Sequence, residues 1–288
     1  MSYEIDFELR HIDKDTDKNC GVLLFHGLTG SPFEMKKYGN FLYELGFDVF
    51  CYSFPGHGEN LDDIQKVTYK DWCNFAQEKY SELRPQYKDF FVSGLCLGAA
   101  ISLYLAENNK DLTGLIALST TLFLDGFCMP KRKCLMPIAL KTIFRYFYTF
   151  PEDECLGVKN TTTRKSLAKL MSKTTIGMDN YPLNCVYELL SLSKFVRKNL
   201  KKVETPILII HSKFDNLTSV KSAKVVYDNI SSQNKKYIEL EDSYHMVLYD
   251  NEKQFVMNSV AEFIHDLVKS DKDESIAEKD ATLENACV

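Results

Sequence analysis

The sequence predicts an α/β fold: a mostly parallel, doubly wound sheet with a helical lid insertion over one end. Three observations carry that expectation. Short apolar runs of strand type alternate with helical segments along most of the chain, the pattern of βαβ units. One run, "DFFVSG", passes directly through Gly94-Leu95-Cys96-Leu97-Gly98 into a helix of small residues. The alternation breaks over about residues 121–195 and then resumes.

Taken in order, "EIDFELRHI" forms an opening strand. "CGVLLFHG" (Cys20–Gly27) is a short buried strand entering a glycine-rich loop. The helix over "SPFEMKKYGNFLYELG" carries its own punctuation: Ser31 as cap, Pro32 in the first turn, Glu34 completing a capping box, Gly46 as stop. "FDVFCYSF" (Phe47–Phe54) is the next strand, closed by "PGHGEN". An amphipathic helix over Thr68–Leu83 follows, then the strand "DFFVSG", a helix over Leu97–Glu107 and the strand "LTGLIALST". Residues 121–195 contain Pro130, Pro137 and several helical pieces but no clear strand, so they read as a lid. After them come the strand "TPILIIHS", a helix over Ser219–Ile230, the strand "KKYIELE" and a helix over Glu252–Lys269. One domain therefore spans 1–270. The remaining 271–288 are charged, poor in apolar side chains and expected to be flexible.

Composition excludes several classes. With 288 residues and 45% hydrophobic content, the chain can bury a sizeable core. A net charge of −5 lacks the clustered basic excess of nucleic-acid binders, so no nucleic-acid partner is expected. The nine cysteines are odd in number, irregularly spaced and never in a C-x-x-C pair. They read as reduced thiols, not as a disulfide framework or a zinc site, and no metal or cofactor is implied. The polar, acidic start is unlike a signal or transit peptide, and no apolar run approaches the ~18 residues of a membrane span, so a cytoplasmic location is the expectation. Nothing in the residues specifies an oligomeric state.

A strand, then G-x-C-x-G, then a helix is the layout of a nucleophile elbow. The turn is tight, so a side chain at Gly94 or Gly98 would collide with the neighbouring strand or helix. The elbow lifts the Cys96 sulfur above the carboxyl end of the sheet and aims a helix N-terminus at it, which favours a thiolate. The alternative is a buried cysteine acting as a small hydrophobe. For the acid, Asp215 lies just after the strand "TPILIIHS"; Asp242 and Asp250 flank a histidine and read as shaping its loop. For the base, His245 lies in a loop between the last strand and the last helix. His26, His57 and His211 are rivals; His11 and His265 have no catalytic context.

Five stretches in this order, "FHGLTGSP", "FPGHGEN", "GLCLGAA", "LIIHSKFDN" and "EDSYHMVLYD", make residues 4–269 resemble the α/β-hydrolase family, on the branch of bacterial carboxylesterases and monoacylglycerol lipases. The resemblance implies the order nucleophile, acid, histidine, here Cys96, Asp215 and His245. It implies an oxyanion hole from the backbone N–H groups of Leu28 and Leu97, and a structural hydrogen-bonding role for His26. Two departures stand out. "FDNLT" replaces the small apolar pair and proline that relatives carry after the acid, and Cys96 stands where they mostly carry serine.

Cysteine bears on substrate. A tetrahedral intermediate expels its better leaving group, so against a plain oxoester the thiolate departs first and the reaction reverts. Thiolates, enolates and phenolates compete well. The expected function is an acyl hydrolase, carboxylesterase- or thioesterase-like, acting through a covalent acyl-enzyme on a small-molecule ester or thioester. The alternatives are an acyltransferase with the same triad and a non-catalytic ligand-binding homologue. In the lid, Ile143, Phe144 and Phe147 either bury against the sheet or, with Met246 beside the histidine, line an acyl-chain pocket. Its basic rim (Lys131, Arg132, Lys133, Lys141 and Arg145) would meet an anionic head group or make weak membrane-surface contact.

Overall fold

The structure, a computed structural model, describes residues 6–11, 20–28, 30–57, 61–128, 139–151, 157–171 and 180–286. Its centre is a seven-stranded sheet built from β1 (Phe7–Leu9), β2 (Cys20–Phe25), β3 (Asp48–Cys51), β4 (Asp89–Leu95), β5 (Gly114–Leu118), β8 (Ile207–Ser212) and β9 (Lys235–Leu240). Their spatial order is β1-β3-β2-β4-β5-β8-β9; β1 runs antiparallel to β3 and every other pairing is parallel.

The helices are α1 (Lys36–Glu44), α2 (Leu61–Ile64), α3 (Tyr69–Leu83), α4 (Leu97–Asn108), α5 (Thr161–Met171), α6 (Leu183–Asn199), α7 (Lys221–Asn229) and α8 (Lys253–Ala286). Alternating strand residues divide the core between two faces, as a period of two requires. Leu23, Phe90, Val92, Leu115, Ala117, Ile207 and Ile209 pack toward α3, α4, α6 and α7. Val22, Leu24, Phe91, Ile116, Leu118, Leu208 and Ile210 pack toward α1 and α8. Because the central strands are covered on both sides, they read as unbroken apolar runs. Helix α4 is buried on nearly every side, which accounts for its apolar composition all round.

Several local expectations are corrected. The helix expected from Ser31 begins as a 3-10 turn over Pro32–Met35, and Ser31 makes no side-chain cap bond to it. Instead the Glu34 carboxylate accepts the Gly27 N–H, at 3.0 Å. The insertion does contain strands: β6 (Thr149–Pro151) and β7 (Asn180–Pro182) pair antiparallel. Three residues each is too short for an alternation to register in sequence. Helix α6 runs through the expected lid limit at 195 and packs Leu189, Leu192 and Val196 into the core beside α4. Helix α8 continues to Ala286, past the limit at 269, with no glycine or proline after Lys253 to stop it. Of the basic rim, Lys131, Arg132 and Lys133 lie outside the described residues.

Candidate active site

The parallel strands bring their carboxyl ends to one edge, where Phe25 pairs with Gly94, Leu95 with Leu118 and Leu118 with Ile210. The loops that carry function leave from this edge. Cys96 sits at the turn from β4 to α4 with φ 58° and ψ −110°. The elbow glycines explain how the turn closes. A Cβ at Gly94 would lie 2.1 Å from the carbonyl of Gly98, and one at Gly98 would lie 2.1 Å from the Phe25 oxygen. Cys96 and Ser119 are the non-glycine residues with positive φ in the described chain, at the ends of adjacent strands. Strain of this kind persists where surrounding structure fixes it, and it concentrates at functional sites.

Asp215 and His245 meet as the sequence order suggests. His245 Nδ1 and Asp215 Oδ2 are 2.7 Å apart. The other carboxylate oxygen accepts the N–H groups of Leu217 (2.8 Å) and Thr218 (2.9 Å), so "DNLT" supplies the turn that aims the acid. Burial pushes the Asp215 carboxyl up, but the charge and hydrogen bond of His245 outweigh it and leave the group below its ordinary range. Burial likewise pushes His245 down, and the Asp215 carboxylate, reinforced by Cys96, holds it well above the usual imidazole value. With Nδ1 turned to the carboxylate, Nε2 is the nitrogen left to accept a proton. It is buried and finds no hydrogen-bond partner of ordinary geometry among the described residues. The sulfur of Cys96 is close enough to act on the ring's titration, but it rests 3.2 Å from Thr121 Oγ1. Cys96 and His245 are each 5% exposed, so both groups sit almost out of water.

The rival histidines have other occupations. Phe54 donates its N–H to His26 Nε2 (3.2 Å), which leaves Nδ1 to donate to the Gly27 oxygen (2.8 Å). Burial, and His57 beside it, hold His26 well below its ordinary value, so it is a neutral tie between two loops. His57 packs edge-on against His26 and Trp72 and is pushed down by burial to about 4. His211 is buried behind Asp215, 3.6 Å from Oδ2, with Nε2 on the Thr218 oxygen. On the loop after β2, a Cβ at Gly27 would lie 3.6 Å from Cβ of Cys96, which brings the Leu28 segment alongside the Cys96 turn; Leu97 opens α4.

Other residues hold these loops; the sequence pointed to Asp250 as shaping the histidine's loop but not to Gly157, Ser119 or Asp125. The buried Asp250 accepts four backbone N–H groups, from Lys159 (2.7 Å), Asn160 (2.9 Å), Tyr244 (2.7 Å) and Asn251 (2.9 Å), tying the histidine loop to the cap. Met246 donates its N–H to the Gly157 oxygen (2.8 Å). Ser119 Oγ donates to the His245 oxygen (2.7 Å). Asp125 accepts the N–H and hydroxyl of Ser219 just beyond the acid turn. The "STT" after β5 was the available signal for Ser119 and Thr121, since polar residues at the carboxyl edge of a central strand have few other uses.

The lid residues are placed differently from one of the two readings. Ile143, Phe144 and Phe147 lie on or beside a 3-10 turn (Ile143–Tyr146) and are 71%, 67% and 80% exposed, so they are not buried against the sheet. Arg145 turns back over the rings of Tyr146 and Tyr187. Met246 is half-buried beside His245 and packs with the cluster that includes Cys96. A polar pocket of about 320 Å³ between Gln65, Lys66, Thr68, Tyr146, Asn184 and Glu188 shares no residue with the Cys96 site.

Among curated proteins, the chain is 25% identical over 243 residues to a thermostable monoacylglycerol lipase of Bacillus sp. (strain H-257), covering 84% of this chain and 89% of that protein. It is 24% identical over 247 residues to a carboxylesterase of Bacillus subtilis (strain 168), covering 85% and 92%. A solved soluble variant of the monoglyceride lipase of Saccharomyces cerevisiae superposes with a TM-score of 0.77 over 91% of each chain, at 16% identity, a likeness of fold alone. The model of the family described as serine aminopeptidase, S33, matches residues 17–253. That match runs through every loop of this carboxyl edge, from His26 to Asp250, and the chain belongs to the serine aminopeptidase, S33, family with an α/β-hydrolase fold.

Proposed function

We propose that the protein is an acyl hydrolase in which Cys96 attacks the acyl carbon, His245 takes and returns the proton, and Asp215 holds the imidazole. The observation that carries this reading is the orientation of His245. Its Nδ1 meets Asp215 at 2.7 Å, and its buried Nε2 is left on the side where the Cys96 sulfur interacts with the ring, with no hydrogen bond of ordinary geometry among the described residues. A non-catalytic pocket has no physical need for that arrangement. Relatives named as a monoacylglycerol lipase and a carboxylesterase support ester hydrolysis as the reaction class.

In this scheme the thiol proton moves to Nε2, and the thiolate adds to the carbonyl. The backbone N–H groups of Leu28 and Leu97 receive the oxyanion, each worth roughly 3 kcal/mol. Collapse expels the leaving group, which takes the proton from His245, and leaves a thioester on Cys96. Water, deprotonated by His245, then releases the acid and restores the thiol. Leaving-group competition biases the enzyme toward thioesters, activated esters and lactones. Ile143, Phe144 and Phe147, exposed beside Arg145, suit contact with an acyl chain or a lipid surface, and Met246 suits a wall beside the histidine.

The test compares acyl-CoA with a monoacylglycerol on the native protein and on Cys96→Ser. The expected result is a gain of at least about tenfold, ~1.4 kcal/mol, in the serine variant's ratio of oxoester to thioester kcat/KM. Robust native monoacylglycerol turnover with a fully inactive serine variant contradicts the leaving-group account.

A further inference from the structure

Thr121 has no part in the scheme above, yet its hydroxyl touches the Cys96 sulfur. It is buried, two residues past the strained Ser119, and its Oγ1 lies 3.2 Å from the Cys96 sulfur and 3.2 Å from the Ser119 carbonyl oxygen. A threonine hydroxyl has one hydrogen and two lone pairs. If that hydrogen goes to the Ser119 carbonyl, the contact with sulfur must be donated by the thiol. If the sulfur is ionised it can only accept, and the hydroxyl hydrogen must turn toward it.

We propose that Thr121 is a positioning residue for Cys96: its hydroxyl accepts from the resting thiol and reverses to donate to the sulfur once the thiol proton has passed to His245 Nε2. The inference rests on the reading of Cys96 as the nucleophile. In the step, the S–H bond breaks, an N–H bond forms at Nε2, and the electron pair stays on sulfur. The Thr121 hydrogen swings from the Ser119 carbonyl to sulfur without leaving its own oxygen. The resting contact accounts for an Nε2 that is buried, near the sulfur, and not hydrogen-bonded to it with ordinary geometry.

The reversal favours the thiolate. A hydrogen bond donated to an ionised sulfur is stronger than one donated by a neutral thiol, a weak donor. The charged and titratable described groups around the sulfur are His245, with Asp215 and His211 behind it, and Glu34 and His26 on the Gly27 loop. None of these changes when Thr121 is altered. Thr121 is itself held at its carbonyl, which accepts the Ser193 hydroxyl of α6 at 2.9 Å, and that bond does not depend on the Thr121 side chain.

The experiment follows iodoacetamide alkylation of Cys96 against pH, read by mass spectrometry of the Cys96 peptide, in the full-length native protein, Thr121→Val and Thr121→Ser. Valine keeps the shape and removes the hydroxyl; serine keeps the hydroxyl. Thr121→Val is expected to move the alkylation profile up by about one pH unit, a slowing of about tenfold along its rising limb. Thr121→Ser is expected to stay near the native profile. A Val variant with the native profile, or a Ser variant shifted as far as Val, overturns the role of Thr121 while leaving an activated Cys96 intact. A native Cys96 that alkylates as an ordinary thiol overturns the nucleophile reading and this inference together.

Discussion

Asp215 uses both carboxylate oxygens, one on the backbone of Leu217 and Thr218 and one on His245. It therefore fixes the imidazole's direction and also raises its affinity for a proton. Asp215→Asn keeps the turn but removes the charge that raises His245. The imidazole pKa should fall in the variant, and kcat/KM should drop roughly 10³–10⁴-fold. Imidazole proton resonances followed through a pH titration, alongside steady-state rates, check both. An unchanged His245 titration would remove Asp215 from its role. At this scale the sequence was informative where residue type and chain order both pointed one way, as at Asp215 and His245, which the fold brings within 2.7 Å. It offered His211 only as a rival base and Glu34 only as part of a helix cap, and it did not single out Thr121. Their importance comes from what the fold places beside them: a sulfur, a carboxylate and the Gly27 N–H.

The elbow between β4 and α4 is the element on which the site depends. Gly98 lets α4 start against the end of β2, and the atom it would strike is a backbone oxygen that no rotamer can move. Gly98→Ala should cost about 3 kcal/mol, at the upper end for overpacking. In a protein of this size that lowers Tm by about 6–12 °C. Gly39→Ala, whose Cβ would meet chiefly the Phe7 ring, should cost clearly less. Thermal unfolding of the two variants checks the contrast, and equal losses would contradict the backbone-collision account. Elements of this kind were legible in sequence because glycine spacing, apolar runs and helix stops all agreed. The β6–β7 ribbon was not, since three-residue strands carry too little pattern. The Ser31–Glu34 pair misled for a different reason: tertiary demand from the Gly27 loop took the carboxylate that a capping box would have used.

Across the whole molecule, the sheet supplies a rigid edge, and loops from four strands converge on one sulfur. Cys96 N–H donates to the Leu118 carbonyl and Ser119 N–H to the Ile210 carbonyl, so neighbouring strands lock Cys96 and its flank in register. The cap is joined to this edge through Asp250, Gly157 and the Asp125–Ser219 pair. Its exposed apolar turn at Ile143–Tyr146 faces away from the sheet core. The fold class followed from the alternation of strands and helices. How the cap attaches did not, because most of those bonds end on backbone atoms, and backbone partners leave no trace in residue type. The most direct test of Cys96 as nucleophile is to quench the protein during turnover of an acyl-CoA and map the acyl group by intact and peptide mass. The account predicts one acyl group per chain, on the Cys96 peptide, and no adduct or turnover in Cys96→Ala; turnover that survives in Cys96→Ala, or an acyl group carried elsewhere, contradicts it.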